Sequence, residues 1–282
     1  ELDVAMDELL HDDSGNPRHG VVIVKSAGNM ADGLQHARKT IAANGYAEFR
    51  FELLKEWGRE KNKHNDKIHI YYTAAASLDF RLTKTSSGTH INHSAGAAAA
   101  DHDVDGVTVN VASESGTGSP ASRPEALRHK LIAVELHTKA EGADALSRGS
   151  WTIRLTETSG NAAVVDLWSQ RDDEDIVAKF VPADADVRNT ISVPGNSASV
   201  ITVGNFGIEK FGSIGEYELA ESSSRGLPAA DAPSLDDVRP HIAAPGENIK
   251  SANSGNSETR CCECTRCSRC CTMAWPRPVP WW

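Results

Sequence analysis

Between Tyr46 and Ile191 apolar residues recur at every second position, and that period constrains the fold more than any other feature of the chain. Phe49 and Phe51 alternate with Arg50 and Glu52; Ile68, Ile70 and Tyr72 with His69 and Tyr71; Leu78, Phe80 and Leu82 with Asp79 and Arg81. Val107, Val109 and Val111 follow, then Ile132, Val134 and Leu136, then Trp151, Ile153 and Leu155, then Val164, Val165 and Leu167. Side chains two apart share one face of a strand, so each run offers one apolar and one polar face. Runs of this kind separated by Gly, Ser, Asn and Asp turns predict an antiparallel β-sandwich of about seven or eight strands over residues 35–191. The Ala97–Ala100 run and the segment Ser113–Arg123 are expected to be loops.

The flanks have a different texture. Leu2, Val4, Ala5, Met6, Leu9 and Leu10 fall at helical spacing, predicting an amphipathic helix over 1–10. A polar turn at 12–17 leads to the β-branched run Val21–Val24, which empties into Ser26-Ala27-Gly28-Asn29. Helix, loop and strand in that order suit a parallel sheet, in which chemistry collects beyond the carboxyl ends of strands. An amide held there can direct its NH2 at an oxyanion, as acyl transfer requires. Residues 32–45 carry some helical character.

A net charge of −10 argues against nucleic acid or an anionic membrane as partner, and no apolar run approaches the ~20 residues of a membrane span. The apolar fraction of 39% and charged fraction of 24% fit a folded chain rather than a disordered one. Residue 1 is Glu within an already helical pattern, so the chain is expected to begin inside a fold, as a fragment would.

Three further blocks stand in the second half. They are Pro194-Gly195-Asn196-Ser197-Ala198-Ser199-Val200-Ile201-Thr202-Val203-Gly204, then Ser222-Ser223-Ser224-Arg225-Gly226, then Arg239 to Ala252 with Pro245-Gly246-Glu247-Asn248-Ile249 at its centre. With the Ser26–Asn29 turn, these blocks in this order resemble the subtilisin-like serine proteases, or subtilases, over roughly residues 1–32 and 193–252. The resemblance implies an α/β fold: a partial subtilisin-like parallel sheet with helices, interrupted by an antiparallel β-sandwich insertion. Residues 1–34 and 192–256 would form the partial catalytic core, 35–191 the jelly-roll-like insertion, and 257–282 an aberrant tail. The phrases Gly149–Ile153 and Val165–Trp168 look like those of subtilases that carry such an insertion.

The resemblance also implies serine endopeptidase chemistry on a protein or peptide substrate, with secretion or a cell-envelope location typical of the family. Asn29 would be the oxyanion-hole amide, and Ala27 and Gly28 would line the substrate pocket. The catalytic Asp and His of the family would lie before residue 1, and no Gly-Thr-Ser-Met motif follows residue 252. Ser254 and Ser257 lack the small-residue helix that positions a nucleophile. The chain is therefore expected to be inactive by itself. Its rival reading is a non-catalytic β-sandwich binding module, flanked by degenerate protease remnants and contributing protein or glycan contacts.

Other candidate sites weigh less. Gly88-Thr89-His90-Ile91-Asn92-His93 looks like a subtilase histidine motif, but it follows the oxyanion strand instead of preceding it, and exposed histidines are expected. Asp101-His102-Asp103-Val104-Asp105-Gly106 places carboxylates at alternate positions as a calcium loop does, yet Ala112 stands where such a loop needs Glu. A charged turn is expected there, and no cofactor is required, calcium being the one candidate. All six cysteines (261, 262, 264, 267, 270 and 271) crowd into eleven positions. Cys264, Cys267 and Cys270 have spacing suited to zinc or an iron–sulfur cluster. A frameshift near residue 255 explains the Cys-, Pro- and Trp-rich tail better, because the tail cannot bury a core.

Overall fold

The structure is a computed structural model. It describes residues 2–55, 65–114, 129–138, 149–170, 176–197, 199–207, 218–226, 238–247, 249–251 and 259–261. The chain divides into two compact units, one of residues 33–187 and one of residues 1–32 with 188–282.

The second of these opens with helix α1 (Leu2–Leu10) and strand β1 (Val24–Ser26). Leu10 is buried, and the Asp7 carboxylate accepts from Ser197 Oγ at 2.6 Å and Ser199 N at 3.0 Å, which ties the helix to the turn at 194–200.

The 33–187 unit holds β2 (His36–Ile41), β3 (Tyr46–Lys55), β4 (Asn65–Thr73), β5 (Leu78–Lys84), β6 (His90–His93) and β7 (Ala100–Val104). It continues with β8 (Val107–Glu114), β9 (His129–Thr138), β10 (Gly149–Glu157), β11 (Ala163–Gln170) and β12 (Ile176–Phe180). They form a five-stranded sheet in the order β12-β3-β10-β5-β6 and a six-stranded sheet in the order β2-β11-β4-β9-β8-β7. Every pairing in both is antiparallel.

Period-two patterning places the core. Phe49, Phe51, Phe80, Trp151, Ile153 and Leu155 from one sheet are buried, as are Ile68, Ile70, Val109, Val134, Val165 and Leu167 from the other. Their sequence neighbours Glu48, Arg50 and Arg81 point outward and are exposed. Phe51 stacks on Trp151 with ring centroids 6.4 Å apart and meets Phe180 edge-on.

Charged side chains buried in the sandwich are compensated, among them Asp184, Asp66 and Glu157. Asp184 accepts from Lys39 Nζ at 2.6 Å and from Arg50 Nε at 2.9 Å, joining β2 and β3 to the turn after β12. Asp66 accepts the Ala178 N–H, and Glu157 caps the turn at 157–160 through Ser159 and Gly160. A buried carboxylate is tolerated where donors replace its lost hydration.

In the other unit, β1 pairs in parallel with β13 (Ile201–Gly207), and β13 pairs in parallel with β14 (Ile242–Glu247). The pair β15 (Ile249–Ser251) and β16 (Thr259–Cys261) is antiparallel. Val22, Val24, Ile201 and Ile242 are exposed.

The expected α/β class is overturned. Among the described residues the one helix is Leu2–Leu10, and the parallel strands number three against thirteen in antiparallel sheets. An α/β sheet needs helices on both faces, whereas residues 32–45, expected to lean helical, fold into β2. The reason lies in the alternation of Ala37 and Ile41 with Arg38 and Thr40: two-residue periodicity against a neighbouring strand outweighs weak helix propensity. The molecule is predominantly β.

Candidate functional site

The loop Ala27–Ala31 leaves β1 and is held almost wholly by backbone. Ala27 N–H donates to Val203 C=O at 2.8 Å, and Ala27 C=O accepts from both Ser192 N (2.8 Å) and Ser192 Oγ (3.1 Å). Gly28 C=O accepts from Ser224 N at 2.9 Å, Met30 N–H donates to Ser224 Oγ at 3.0 Å, and Ala31 N–H donates to Ser222 C=O at 3.2 Å. Thr202 and His241 exchange backbone and ring contacts alongside. The loop is thus held by the blocks at 194–204 and 222–226, and the block from Arg239 joins them through Thr202 of β13.

Gly28 is required where it stands. Its φ is +105°, and a Cβ there would lie 2.8 Å from Ser192 Oγ and 3.1 Å from Ser224 Oγ.

Asn29, expected to present its amide to an oxyanion, is exposed, and its side chain has no partner among the described residues. Ala27 is buried and Gly28 half-buried beneath it. The hydroxyls near this loop are committed to structure. Ser192 Oγ receives a bond from Lys25 Nζ at 2.8 Å and gives its own to the Ala27 carbonyl, while Lys25 Nζ also donates to the Ser26 carbonyl at 2.8 Å. Burial holds Lys25 below the ordinary lysine range. Among the described residues, neither Ser192 nor Ser224 bonds to a histidine, the base that nucleophilic catalysis by serine uses. Ser254, Ser257 and Cys262 to Cys271 lie outside the described residues, and nothing is described of the Cys261 side chain beyond its place in β16.

His90 is exposed on β6. Asp101 accepts from Asn110 Nδ2 at 2.9 Å, Asp103 from Gly106 N at 3.1 Å, and Asp105 from Thr89 Oγ1 at 3.0 Å. Those carboxylates serve the β7–β8 hairpin, and among the described residues no three His, Cys, Asp or Glu side chains gather as metal ligands.

The sandwich carries a second constellation, on the face of the six-stranded sheet that turns away from the core. Trp168 of β11 stands opposite His36 of β2 on one side and His69 of β4 on the other. It stacks on His36 with centroids 4.7 Å apart and meets Tyr71 edge-on at 5.5 Å; Tyr71 in turn meets His69 at 6.3 Å. His36 is fixed at both nitrogens, through Nε2 to Asp166 Oδ1 at 2.9 Å and Nδ1 to the Asp186 carbonyl at 3.2 Å. Arg38 reaches both Asp166 oxygens at 3.1 and 3.0 Å. Trp168, Tyr71 and His69 are half-buried. The signal for this cluster was a tryptophan on the polar phase of the Val165–Trp168 alternation, and sequence reading passed over it.

Among solved structures, the fold is similar to that of the Clostridium perfringens CspB protease, at 17% identity and a TM-score of 0.64, over 85% of this chain and 44% of that one. The chain spans less than half the length of the protease it matches. No protein-family profile matches the sequence, and no curated protein matches it. The subtilisin-like assignment is therefore corrected: four short blocks do not make a family when sequence support is lacking and the described chain is nearly all β-sheet. The likeness that stands is one of fold, to part of a protease.

Proposed function

We propose that this chain acts as a non-catalytic β-sandwich binding module, joined to a small parallel-sheet unit with a protease-like fold. Its ligand is a glycan, held on the aromatic cluster of β2, β11 and β4. The observation that carries this reading is the fixed ring of Trp168, stacked on a histidine that is itself bonded at both nitrogens. Aromatic rings held in one orientation contribute contact area at low entropic cost on binding.

A glycan suits this surface better than a peptide. β11 is an interior strand with β2 and β4 on either side, so its backbone groups are already used and a peptide cannot add there as a strand. What the face offers is side chains: three rings bordered by Arg38, Asp166, Lys67 and Glu135. A pyranose presents an apolar face to a ring and hydroxyls to such charged groups.

Titration calorimetry against a panel of neutral and acidic oligosaccharides tests the proposal, with the Trp168→Ala chain as control. Saturable binding that Trp168→Ala abolishes is the expected result. Equal binding by both chains, or stoichiometric labelling of the chain by a fluorophosphonate, overturns it.

A further inference from the structure

The edge of the sandwich formed by β6 and β7 contains two histidines that the binding face does not use. β6 is the last strand of the five-stranded sheet and β7 the last of the six-stranded sheet. The chain passes between them through residues 94–99, so this is where one sheet hands over to the other. His93 pairs in register with core residue Phe80, and His102 with core residue Val109, which places both imidazoles on the inward phase. His93 is 5% exposed. The Nε2 atoms of both rings are buried and have no hydrogen-bond partner among the described residues.

The rest of this edge is accounted for. Asp105 bonds Thr89 Oγ1 and lies 3.7 Å from Lys84 Nζ, pinning the β5–β6 hairpin to the β7–β8 turn. The Asp79 carboxylate takes the Ala95 N–H. Asp101 and Asp103 face outward within their hairpin. Residues 94–99 contain no titratable side chain, and the inward positions of β8 are Val107, Val109 and Val111. Among the described residues, no carboxylate is therefore placed to neutralise a charged His93 imidazole at Nε2.

We propose that His93 forms a proton-operated latch on this edge: neutral, it lets β6 and β7 close the core, and protonated, it drives the two edge strands apart. A neutral imidazole leaves at Nε2 a lone pair whose burial is tolerable, whereas an Nε2–H⁺ without an acceptor is a buried charge without compensation. Burial, reinforced by His102, holds His93 below the ordinary histidine range, while its bond to the Ala97 backbone works the other way. A folded value below the unfolded one means that the unfolded edge binds more protons. The stability contributed by the closed latch is thus intact above about pH 6.5 and is lost as pH falls toward the folded value. This inference stands independently of the glycan-binding reading.

Hydrogen exchange on the full chain tests it. Exchange of the bonded amides of β6 and β7, corrected for intrinsic rate, is compared at pH 7.5 and 5.0 with that of β3 and β10 in the same molecule. The expected result is a faster exchange at the edge at pH 5.0, with the central strands unchanged. His93→Leu with His102→Leu removes the response. Edge and central strands responding alike, or an acid response that survives the double substitution, overturns the proposal. If the double variant does not fold, the wild-type imidazole nitrogen shifts of His93 decide: titration of that ring at an ordinary histidine value contradicts a latch, and a depressed value supports it.

Discussion

Trp168 lies against His36 with ring planes 26° from parallel, and His36 cannot turn away because Asp166 and the Asp186 carbonyl hold its two nitrogens. The rigidity of the outer aromatic cluster follows from a polar clamp one strand away. Asp166→Asn keeps the shape but weakens the clamp and strands Arg38. It is expected to lower affinity for a bound oligosaccharide about three- to tenfold, or about 0.7–1.4 kcal/mol, with little change in the melting temperature. Parallel calorimetry and thermal unfolding of the variant check this.

Removing the half-buried ring itself separates binding from folding. Trp168→Ala is expected to cost about 1–2 kcal/mol of stability, less than a core aromatic, while reducing binding by at least about tenfold. Denaturant titration gives the first quantity and calorimetry the second.

Trp151 is the contrasting case. It is fully buried between β3 and β5 and packs against Phe51. Trp151→Ala should cost about 3–5 kcal/mol, enough to unfold a marginally stable sandwich, as read by the loss of its cooperative urea transition.

Gly28→Ala strikes the other unit. The positive φ and the close approach of Ser192 Oγ together predict a loss of about 1–3 kcal/mol. The effect should be confined to the unit of residues 1–32 and 188–282, as mapped by amide exchange, with the sandwich unaffected.

Acid should act on the sandwich a second time below the range of the histidine latch. Burial alone would raise Asp184 and Glu157, but hydrogen bonds outweigh it: those from Arg50 and Lys39 depress Asp184, and those from Ser159, Asn44 and Gly160 bring Glu157 down to about 2. A depressed carboxylate contributes stability that is present above its unfolded value near 4 and lost as pH falls through the folded one. Unfolding free energy measured from pH 5 to pH 2 should therefore fall, and Asp184→Asn should flatten that slope.

The strands were legible because burial on one face writes itself into alternate residues: Phe49 and Phe51, or Ile153 and Leu155, need no tertiary information to be read as a core. The turn at Gly28 was legible for a similar reason, since small residues mark where backbones approach closely. Two things were not. The overall class was misjudged because β1, β13 and β14 do pair in parallel, yet a local parallel pairing says nothing about helices outside those strands. The His36–Trp168 stack and the His93–His102 edge join residues 132 and 9 positions apart through sheet order, which periodicity within one strand does not encode.

The most direct measurement is the nitrogen-15 spectrum of the indole groups of the full chain during titration with oligosaccharides. The account predicts saturable shifts of the Trp168 indole and of the Tyr71 and His69 amides, with Ala27, Gly28 and Asn29 unmoved. Shifts centred on the Ala27–Asn29 loop instead, or a Trp168 indole that stays in place across the whole panel, would contradict it.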